Sequence, residues 1–236
     1  MIDIVTHEDI GSFRNGWLDA HHHFSFAGYH DPKRMGLGAL RVWNDDTIQP
    51  HQGFEPHPHR DMEIITFVRK GAITHEDSLG NKGRTEAGDV QVMSAGTGIV
   101  HSEMNLEDEP TELFQIWIHT DAKGHEPRWD SGEFPKNPVT GTLPVLASGR
   151  AGDTGALMIH ADAAVLGGRI AAGGTITHVI EPGRAAYLVP SEGTVVVNGV
   201  DVPTRAGVTI TDETSITISV ANGEAEVVMV DVPLDY

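Results

Sequence analysis

Short stretches of alternating apolar and polar residues run along most of this chain, separated by turn residues. From residue 38 to 120 the sequence is typical of β-strands punctuated by Gly, Asn and Asp, as in GALRVWNDDTI and TELFQIWIHT. Closely spaced strands with little helical periodicity indicate an all-β sandwich or barrel. The pattern resumes in GTVVVNGVDV and ITISVANGEAEVVMV, where Asn-Gly between apolar alternations predicts β-hairpins. We therefore expect two β-barrel domains of similar size.

The boundary between the two domains is marked by a change in composition. The segment KGHEPRWDSGEFPKNPVTG is rich in Gly and Pro and interrupts the strand pattern. The sequence thus predicts an N-terminal domain at residues 1–125, a linker at 126–142 and a C-terminal domain at 143–236. The chain has 14 histidines, and only His160 and His178 lie beyond residue 125. Any chemistry is therefore expected in the N-terminal domain.

Charge and composition exclude several classes of function. The chain has 16 basic and 34 acidic residues, a formal charge of −18, and no cysteine. Such an acidic chain has no electrostatic attraction for a phosphate backbone, so direct binding of nucleic acid is not expected. Disulfides, thiolate chemistry and cysteine-based zinc sites are excluded. No apolar run is long enough to cross a bilayer and no signal peptide is visible, so we expect a cytoplasmic protein.

Two histidines in HPHRDMEIITFVRKG are the first candidates for chemistry. Side chains of a strand alternate between its faces, so His57 and His59 point the same way and Pro58 points the other way. Two imidazoles on one face can bind a single metal ion. The spacing is also common by chance, and a pair of exposed histidines at a strand end is the alternative interpretation.

A second pair, in GTGIVHSEM, strengthens the metal hypothesis. His101 and Glu103 again stand two residues apart and share a face. Both pairs lie on strands that would converge inside one barrel, and their nitrogen and oxygen donors suit a borderline divalent metal. Glu63 competes with Glu103 for the carboxylate position, because an even number of residues separates Glu63 from His59. Either glutamate is a candidate ligand, with the other close behind the ligands.

These motifs resemble a known family. His57 to Glu63, followed by Gly71, resembles the first cupin motif, and the segment from Gly88 to His101 resembles the second. With the upstream HHFSFAGYHDP, they are similar to the pirin family of bicupins over nearly the whole chain. The resemblance implies a metal-binding N-terminal barrel and a degenerate C-terminal barrel without a metal site. The implied metal ligands are His57, His59, His101 and Glu103. Pirins commonly have Gly-Phe where this chain has Asp-Met before Glu63, a departure expected at the pocket wall.

The resemblance also implies an activity, that of a quercetin 2,3-dioxygenase, which opens the ring of a flavonol with O2. The expected cofactor is one divalent transition metal, with Fe(II) as the first candidate and Cu, Ni, Co, Mn or Zn as alternatives. Glu103 is the candidate base for the substrate hydroxyl. The alternative is an iron-containing, redox-sensitive regulator that binds a transcription-related or metabolic protein partner. A cupin enzyme with an unrelated substrate is the third hypothesis, because a fold does not fix a function.

Several other residues are candidates for the wall of a substrate pocket. An aromatic-lined barrel would hold a flat substrate, although buried aromatic residues also form ordinary core. His23, within the triplet HHH at residues 21–23, is expected at the pocket mouth because pirins carry a similar HFSF segment beside the barrel. The predicted pocket residues are His23, Phe54, Phe67, Phe114 and Trp117.

Overall fold

The computed structural model describes residues 1–236, and all of its regular structure is β-strand. The first twelve strands are β1 (Ile2–Val5), β2 (Gly11–Arg14), β3 (Leu18–His22), β4 (Leu40–Ile48), β5 (Gln52–His59), β6 (Met62–Lys70), β7 (Ala72–Asp77), β8 (Lys82–Glu86), β9 (Val90–Ser94), β10 (Ile99–Asn105), β11 (Thr111–His119) and β12 (Arg128–Gly132). The other ten are β13 (Val145–Ser148), β14 (Leu157–Met158), β15 (Ala164–Ile170), β16 (Thr175–Val179), β17 (Arg184–Glu192), β18 (Val195–Val197), β19 (Val200–Val202), β20 (Gly207–Ile210), β21 (Ser215–Ser219) and β22 (Ala225–Pro233). The structure contains no helix that could span a membrane.

Each domain is built from one seven-stranded and one four-stranded sheet. In the first domain the orders are β12-β9-β6-β11-β4-β3-β2 and β5-β10-β7-β8. In the second they are β1-β20-β17-β22-β15-β13-β14 and β16-β21-β18-β19. The central order β9-β6-β11-β4 thus returns as β20-β17-β22-β15, so one architecture occurs twice. The predicted fold class, all-β with two cupin-type domains, is confirmed, although each domain is a pair of sheets and not a closed barrel.

The two seven-stranded sheets pack face to face and share a core. A cluster of 22 buried apolar residues contains members of β4, β6, β9 and β11 from the first domain and of β15, β17 and β22 from the second. Trp43 of β4 is fully buried in this cluster, and its ring centroid lies 5.3 Å from that of Phe114 and 5.6 Å from that of Tyr187. Burial of this apolar face holds the domains together.

The strand pairings differ from the predicted domain boundaries at two places. Within the predicted linker at 126–142, β12 pairs with β9 and extends the first domain's sheet. At the other end of the chain β1 pairs with β20, so residues 2–5 belong to a sheet of the second domain. Local sequence patterns indicate that a strand forms but not which partner it takes, and these two pairings are of that kind.

Candidate metal centre

The first domain places two strands with inward-facing polar residues side by side. β10 lies between β5 and β7, and β5 forms the edge of the four-stranded sheet. In the antiparallel register His101 lies opposite His57, and Ile99 lies opposite His59. Along β10 the residues alternate between buried and less buried, and both His101 and Glu103 are on the buried side. The alternation expected from the sequence therefore carries His101 into the space between the two sheets of the domain.

Three imidazoles meet in this space. The ring centroids are 4.8 Å apart for His57 and His59, 4.5 Å for His57 and His101, and 5.0 Å for His59 and His101. One ring nitrogen from each residue lies within 4.8 Å of the other two. A set of three imidazoles around a common centre fits a divalent transition metal.

The protonation of these rings also suits a metal. Burial, followed by the neighbouring imidazoles His57 and His75, lowers the pKa of His101 to about 3. Burial, followed by His101 and His57, lowers the pKa of His59 to about 4. Both rings are therefore neutral at pH 7, as metal ligands must be. The Nε2 atom of His101 is buried and has no hydrogen-bond partner, which is the state of a ring nitrogen whose lone pair is reserved for a ligand.

Glu103 lies in the same cavity but outside the compact group formed by the three histidines. Its Oε1 accepts hydrogen bonds from Gln91 Nε2 at 2.8 Å and Thr66 Oγ1 at 3.0 Å, and its Oε2 accepts one from Gln115 Nε2 at 2.7 Å. A carboxylate oxygen has two acceptor sites, so Oε2 keeps one lone pair free. The role of Glu103 as a metal ligand remains a prediction.

The histidines lie on the wall of a cavity of about 190 Å3. Two of the predicted pocket residues, Phe54 and Trp117, line it. Phe26, which the sequence reading missed, meets Trp117 edge to face with centroids 5.4 Å apart. The full lining is Leu18, Ala20, His22, Phe26, Asn44, Asp46, Phe54, His57, His59, Ile64, His101, Glu103, Gln115 and Trp117. Of these 14 residues 6 are hydrophobic, and the polar ones include the three histidines, so the wall offers both aromatic faces and convergent polar groups to a small molecule.

Polar residues of β3 and β4 that the sequence reading missed also face the cavity. His22 Nδ1 donates to Asn44 Oδ1 at 2.9 Å, and both residues line the wall. Asp46 is buried, and one of its oxygens, Oδ1, has no hydrogen-bond partner. Burial raises its pKa well above the ordinary value, and the carboxylates of Asp45 and Glu103 raise it further. The signal was available in NDD at residues 44–46, where alternation places the first and third residue on one face.

Three other predicted pocket residues lie elsewhere, and these predictions are corrected. His23 is fully buried at the domain interface, where its Nδ1 lies 2.9 Å from the hydroxyl of Tyr187. β3 ends at His22, and the next residue along the chain leaves the cavity side. Phe67 and Phe114 belong to the core shared by the two seven-stranded sheets. Phe67 is one of the odd-numbered residues of β6, and Phe114 one of the even-numbered residues of β11, whose side chains pack in this shared core.

Glu63 is also corrected, because it does not face the histidines. The chain turns at Asp61, whose φ is +48°, and passes from the four-stranded to the seven-stranded sheet. The even spacing from His59 therefore has no meaning for Glu63, and in β6 it is Ile64 that lines the cavity. Glu63 is fully buried on the opposite face, where its Oε2 accepts a hydrogen bond from Ser94 Oγ at 2.6 Å. Burial raises its pKa to about 7, although the bonds from Ser94 and a backbone N–H oppose the shift.

Comparison with known protein families accounts for most of the chain. The model of the pirin family matches residues 5–118. A second family model, described as the quercetinase C-terminal cupin domain, matches residues 145–232.

Individual relatives extend the match to full length. A protein of Caulobacter vibrioides named pirin-like protein is 56% identical over 231 residues, covering 98% of this chain and 99% of the relative. A protein of Escherichia coli K12 named quercetin 2,3-dioxygenase is 42% identical over 234 residues, covering 99% of both chains. The crystal structure of the Escherichia coli pirin YhhW with nickel(II) superposes with a TM-score of 0.91 at 40% identity, covering 99% of both chains. The chain therefore belongs to the pirin family.

Proposed function

We propose that the protein is a metal-dependent dioxygenase of the quercetin 2,3-dioxygenase type, which opens the central ring of a flavonol with O2. The observation that supports this most is the convergence of His57, His59 and His101 on the wall of an aromatic-lined cavity. The name of the 42% identical relative from Escherichia coli agrees with the proposal.

The residues present fit a resident metal ion. His57, His59 and His101 would hold it through one ring nitrogen each, and the one free lone pair on Glu103 Oε2 would either complete the ligand set or take the proton of the substrate. The buried, unpartnered Nε2 of His101 is the atom in this structure that such an ion would satisfy. When bound, the ion would act as a Lewis acid toward the 3-hydroxyl of a flavonol and would lower its pKa.

The cavity walls would orient the substrate and exclude water. Phe54 lies on one part of the wall, and Phe26 and Trp117 form an edge-to-face pair on another. Flat aromatic rings pack well against such faces and edges. An apolar enclosure also keeps bulk water away from an electron-rich, oxygen-sensitive substrate.

Glu103 would receive the proton of the 3-hydroxyl. Its carboxylate is held by the amide groups of Gln91 and Gln115, which fix its direction without giving it a proton. A base with one lone pair free on Oε2 and a fixed orientation meets the geometric requirement for proton transfer at a hydroxyl beside the histidines.

We propose Fe(II) as the first ion to test, because the resemblance to pirins implies an iron-containing protein. Three imidazoles and one carboxylate form a donor set that suits borderline divalent metals, and affinity alone does not select among them. The pirin YhhW of Escherichia coli has been crystallised with nickel(II). Nickel is therefore one of the ions to compare with iron, together with copper, cobalt, manganese and zinc.

The test compares six metal-loaded forms of the protein, each checked for metal content, in an optical assay. Protein loaded separately with each of the six ions is mixed with quercetin in air, and loss of the flavonol's visible absorption band is followed. We expect bleaching with at least one ion, loss of bleaching in His57→Ala and Glu103→Ala, and retention in His178→Ala, which alters only the second domain. Metal-loaded protein that bleaches quercetin with none of the six ions would contradict the proposal and leave a different substrate or a regulatory role.

A further inference from the structure

A buried histidine that takes no part in the mechanism above lies directly behind His101. His75 of β7 is fully buried. Its Nδ1 lies 3.4 Å from Nδ1 of His101, and its Nε2 lies 3.0 Å from Oδ2 of Asp77. One face of its ring stacks on Trp129, with centroids 4.9 Å apart and planes inclined by 10°. The side chains of His101, His75 and Asp77 thus form a line from the candidate metal site to a carboxylate.

Asp77 is held so that it accepts hydrogen bonds and donates none. Its Oδ1 accepts from the backbone N–H groups of Leu79 at 2.9 Å and Asn81 at 3.0 Å. Its Oδ2 accepts from the side-chain amide of Asn81 at 2.9 Å, in addition to His75. Each bond supplies its own hydrogen, so neither oxygen has a site from which to donate one. The end of the line at Asp77 therefore has a fixed polarity.

This polarity determines where the hydrogen sits on each ring. A neutral imidazole carries one N–H donor and one acceptor nitrogen. Because Asp77 only accepts, His75 must carry its hydrogen on Nε2, and its Nδ1 is then an acceptor. His101 must consequently carry its hydrogen on Nδ1, which leaves the lone pair on Nε2. That nitrogen is the buried atom without a partner.

We propose that His75 and Asp77 are positioning residues that fix the tautomer and orientation of His101 and make its Nε2 a stronger metal ligand. The inference rests on the metal-binding part of the proposed function and adds to it two residues that position one of the metal ligands. Partners behind a ligating histidine typically change metal affinity 10- to 100-fold. A second ligand candidate is oriented differently, because His57 Nδ1 lies 2.7 Å from the neutral backbone carbonyl of Glu55. Only His101 is linked through another ring to a carboxylate.

The first test reads the tautomers in metal-free protein. Long-range 15N–1H correlation spectra distinguish a ring protonated at Nδ1 from one protonated at Nε2. We expect Nε2–H on His75 and Nδ1–H on His101 in the wild type. In Asp77→Asn an amide NH2 replaces Oδ2 and faces His75 Nε2, so His75 should move its hydrogen to Nδ1. The opposite tautomer on either ring of the wild type would overturn the proposal, whatever metal the protein binds.

The second test measures the affinity for cobalt(II) and nickel(II) by competition with a chelator. We expect Asp77→Asn and His75→Phe to weaken binding by roughly 10- to 100-fold, with a changed cobalt(II) absorption spectrum. His75→Asn should lose less, because its Oδ1 can still accept from His101 Nδ1. The phenylalanine variant keeps the stack on Trp129, so its loss would not come from packing.

The matched control is His178→Phe in the second domain. His178 Nε2 also pairs with a buried carboxylate, Asp231, at 2.8 Å, but it contacts no candidate ligand. The metal affinity of the His178→Phe variant should equal that of the wild type. Wild-type affinity and an unchanged cobalt spectrum in both Asp77→Asn and His75→Phe would overturn the proposed positioning role of His75 and Asp77. Altered affinity in these variants, combined with no bleaching of quercetin by any loaded protein, would support the positioning role and reject the proposed dioxygenase activity.

Discussion

The two domains share one strand arrangement and fill its interior in opposite ways. In the first domain β5 and β10 carry His57, His59 and His101 toward the space between the sheets. In the second domain β16 and β21 occupy the same places in the sheet order. Their inward residues include Ile176 and Ile218, both fully buried.

The difference continues through the rest of each interior. The second domain closes around 20 buried apolar residues. The first leaves a cavity of about 190 Å3 and places histidines, Glu103 and Asp46 on its wall. Buried polar groups cost stability unless they are paired, so the polar interior of the first domain does not favour folding and agrees with the proposed metal and substrate site. The comparison teaches that the site, and not the fold, separates the two domains.

The largest expected effect is the loss of metal from the first domain. His101→Ala removes the buried member of the three-histidine group, and we expect at least a roughly 100-fold weaker affinity for cobalt(II). Ile218→Ala, on the corresponding strand β21 of the second domain, should leave the affinity unchanged. Both are measured by chelator competition. Equal metal affinity in His101→Ala and the wild type would remove the distinction between the domains.

The next effect concerns the stability of the fold and is expected to be larger in the second domain than in the first. Ile218→Ala leaves a void in a closed aliphatic interior, and we expect a loss of about 3 kcal/mol in the free energy of unfolding. Ile64→Ala should cost less, because the side chain of Ile64 already borders the cavity and fewer contacts are lost. Urea denaturation of the two variants measures the difference. A larger loss for Ile64→Ala would contradict the contrast between a packed and an open interior.

A smaller effect depends on pH and arises at the interface between the domains. Burial raises the pKa of Glu63 to about 7, so in the folded state this carboxyl binds its proton more tightly than in the unfolded state. The resulting stability is complete below the ordinary pKa near 4.5 and is lost as the pH rises through about 7. We expect the wild type to lose roughly 2–3 kcal/mol relative to Glu63→Gln between pH 4.5 and 8. Parallel stability curves for the two proteins would show that Glu63 is not protonated when folded.

The smallest expected effect separates cavity aromatics from core aromatics within the first domain. Phe54→Leu should raise the KM for quercetin roughly two- to tenfold with unchanged metal content, because an aromatic contact is worth about 1 kcal/mol. Phe114→Leu should lower the melting temperature and leave KM unchanged, since Phe114 lies in the shared core. Steady-state kinetics and thermal unfolding measure both variants. A KM change in Phe114→Leu but not in Phe54→Leu would contradict the assignment of the substrate to the cavity that Phe54 lines.

Alternation within single strands predicted the all-β fold class and placed His57 with His59, and His101 with Glu103, on shared faces. The meeting of the two pairs was expected from the short separation of their strands and from the resemblance to pirins, which also implied the two cupin domains. His57 and His59 lie on one strand, and His101 lies on its neighbour in register. Predictions that crossed a turn failed. Glu63 was counted from His59 across Asp61, where the chain changes sheets. Alternation alone also does not say which face of β6 looks into the cavity, so Phe67 was assigned to the wrong side.

The pairing of distant strands was beyond the sequence for a similar reason. The contact of β1 with β20 and the line from Asp77 through His75 to His101 depend on three-dimensional neighbours. His75 stood in the sequence among 14 histidines without a distinguishing motif. Its proposed role depends on the pairing of β7 with β10.

The most direct test of the account is to locate the metal itself. Crystals of the protein loaded with nickel(II) or iron(II), measured at the absorption edge of the metal, give its position by anomalous scattering. The account predicts one peak within bonding distance of His57, His59 and His101 and no peak between the sheets of the second domain. A peak elsewhere, or none near the three histidines in protein shown to contain metal, would contradict it.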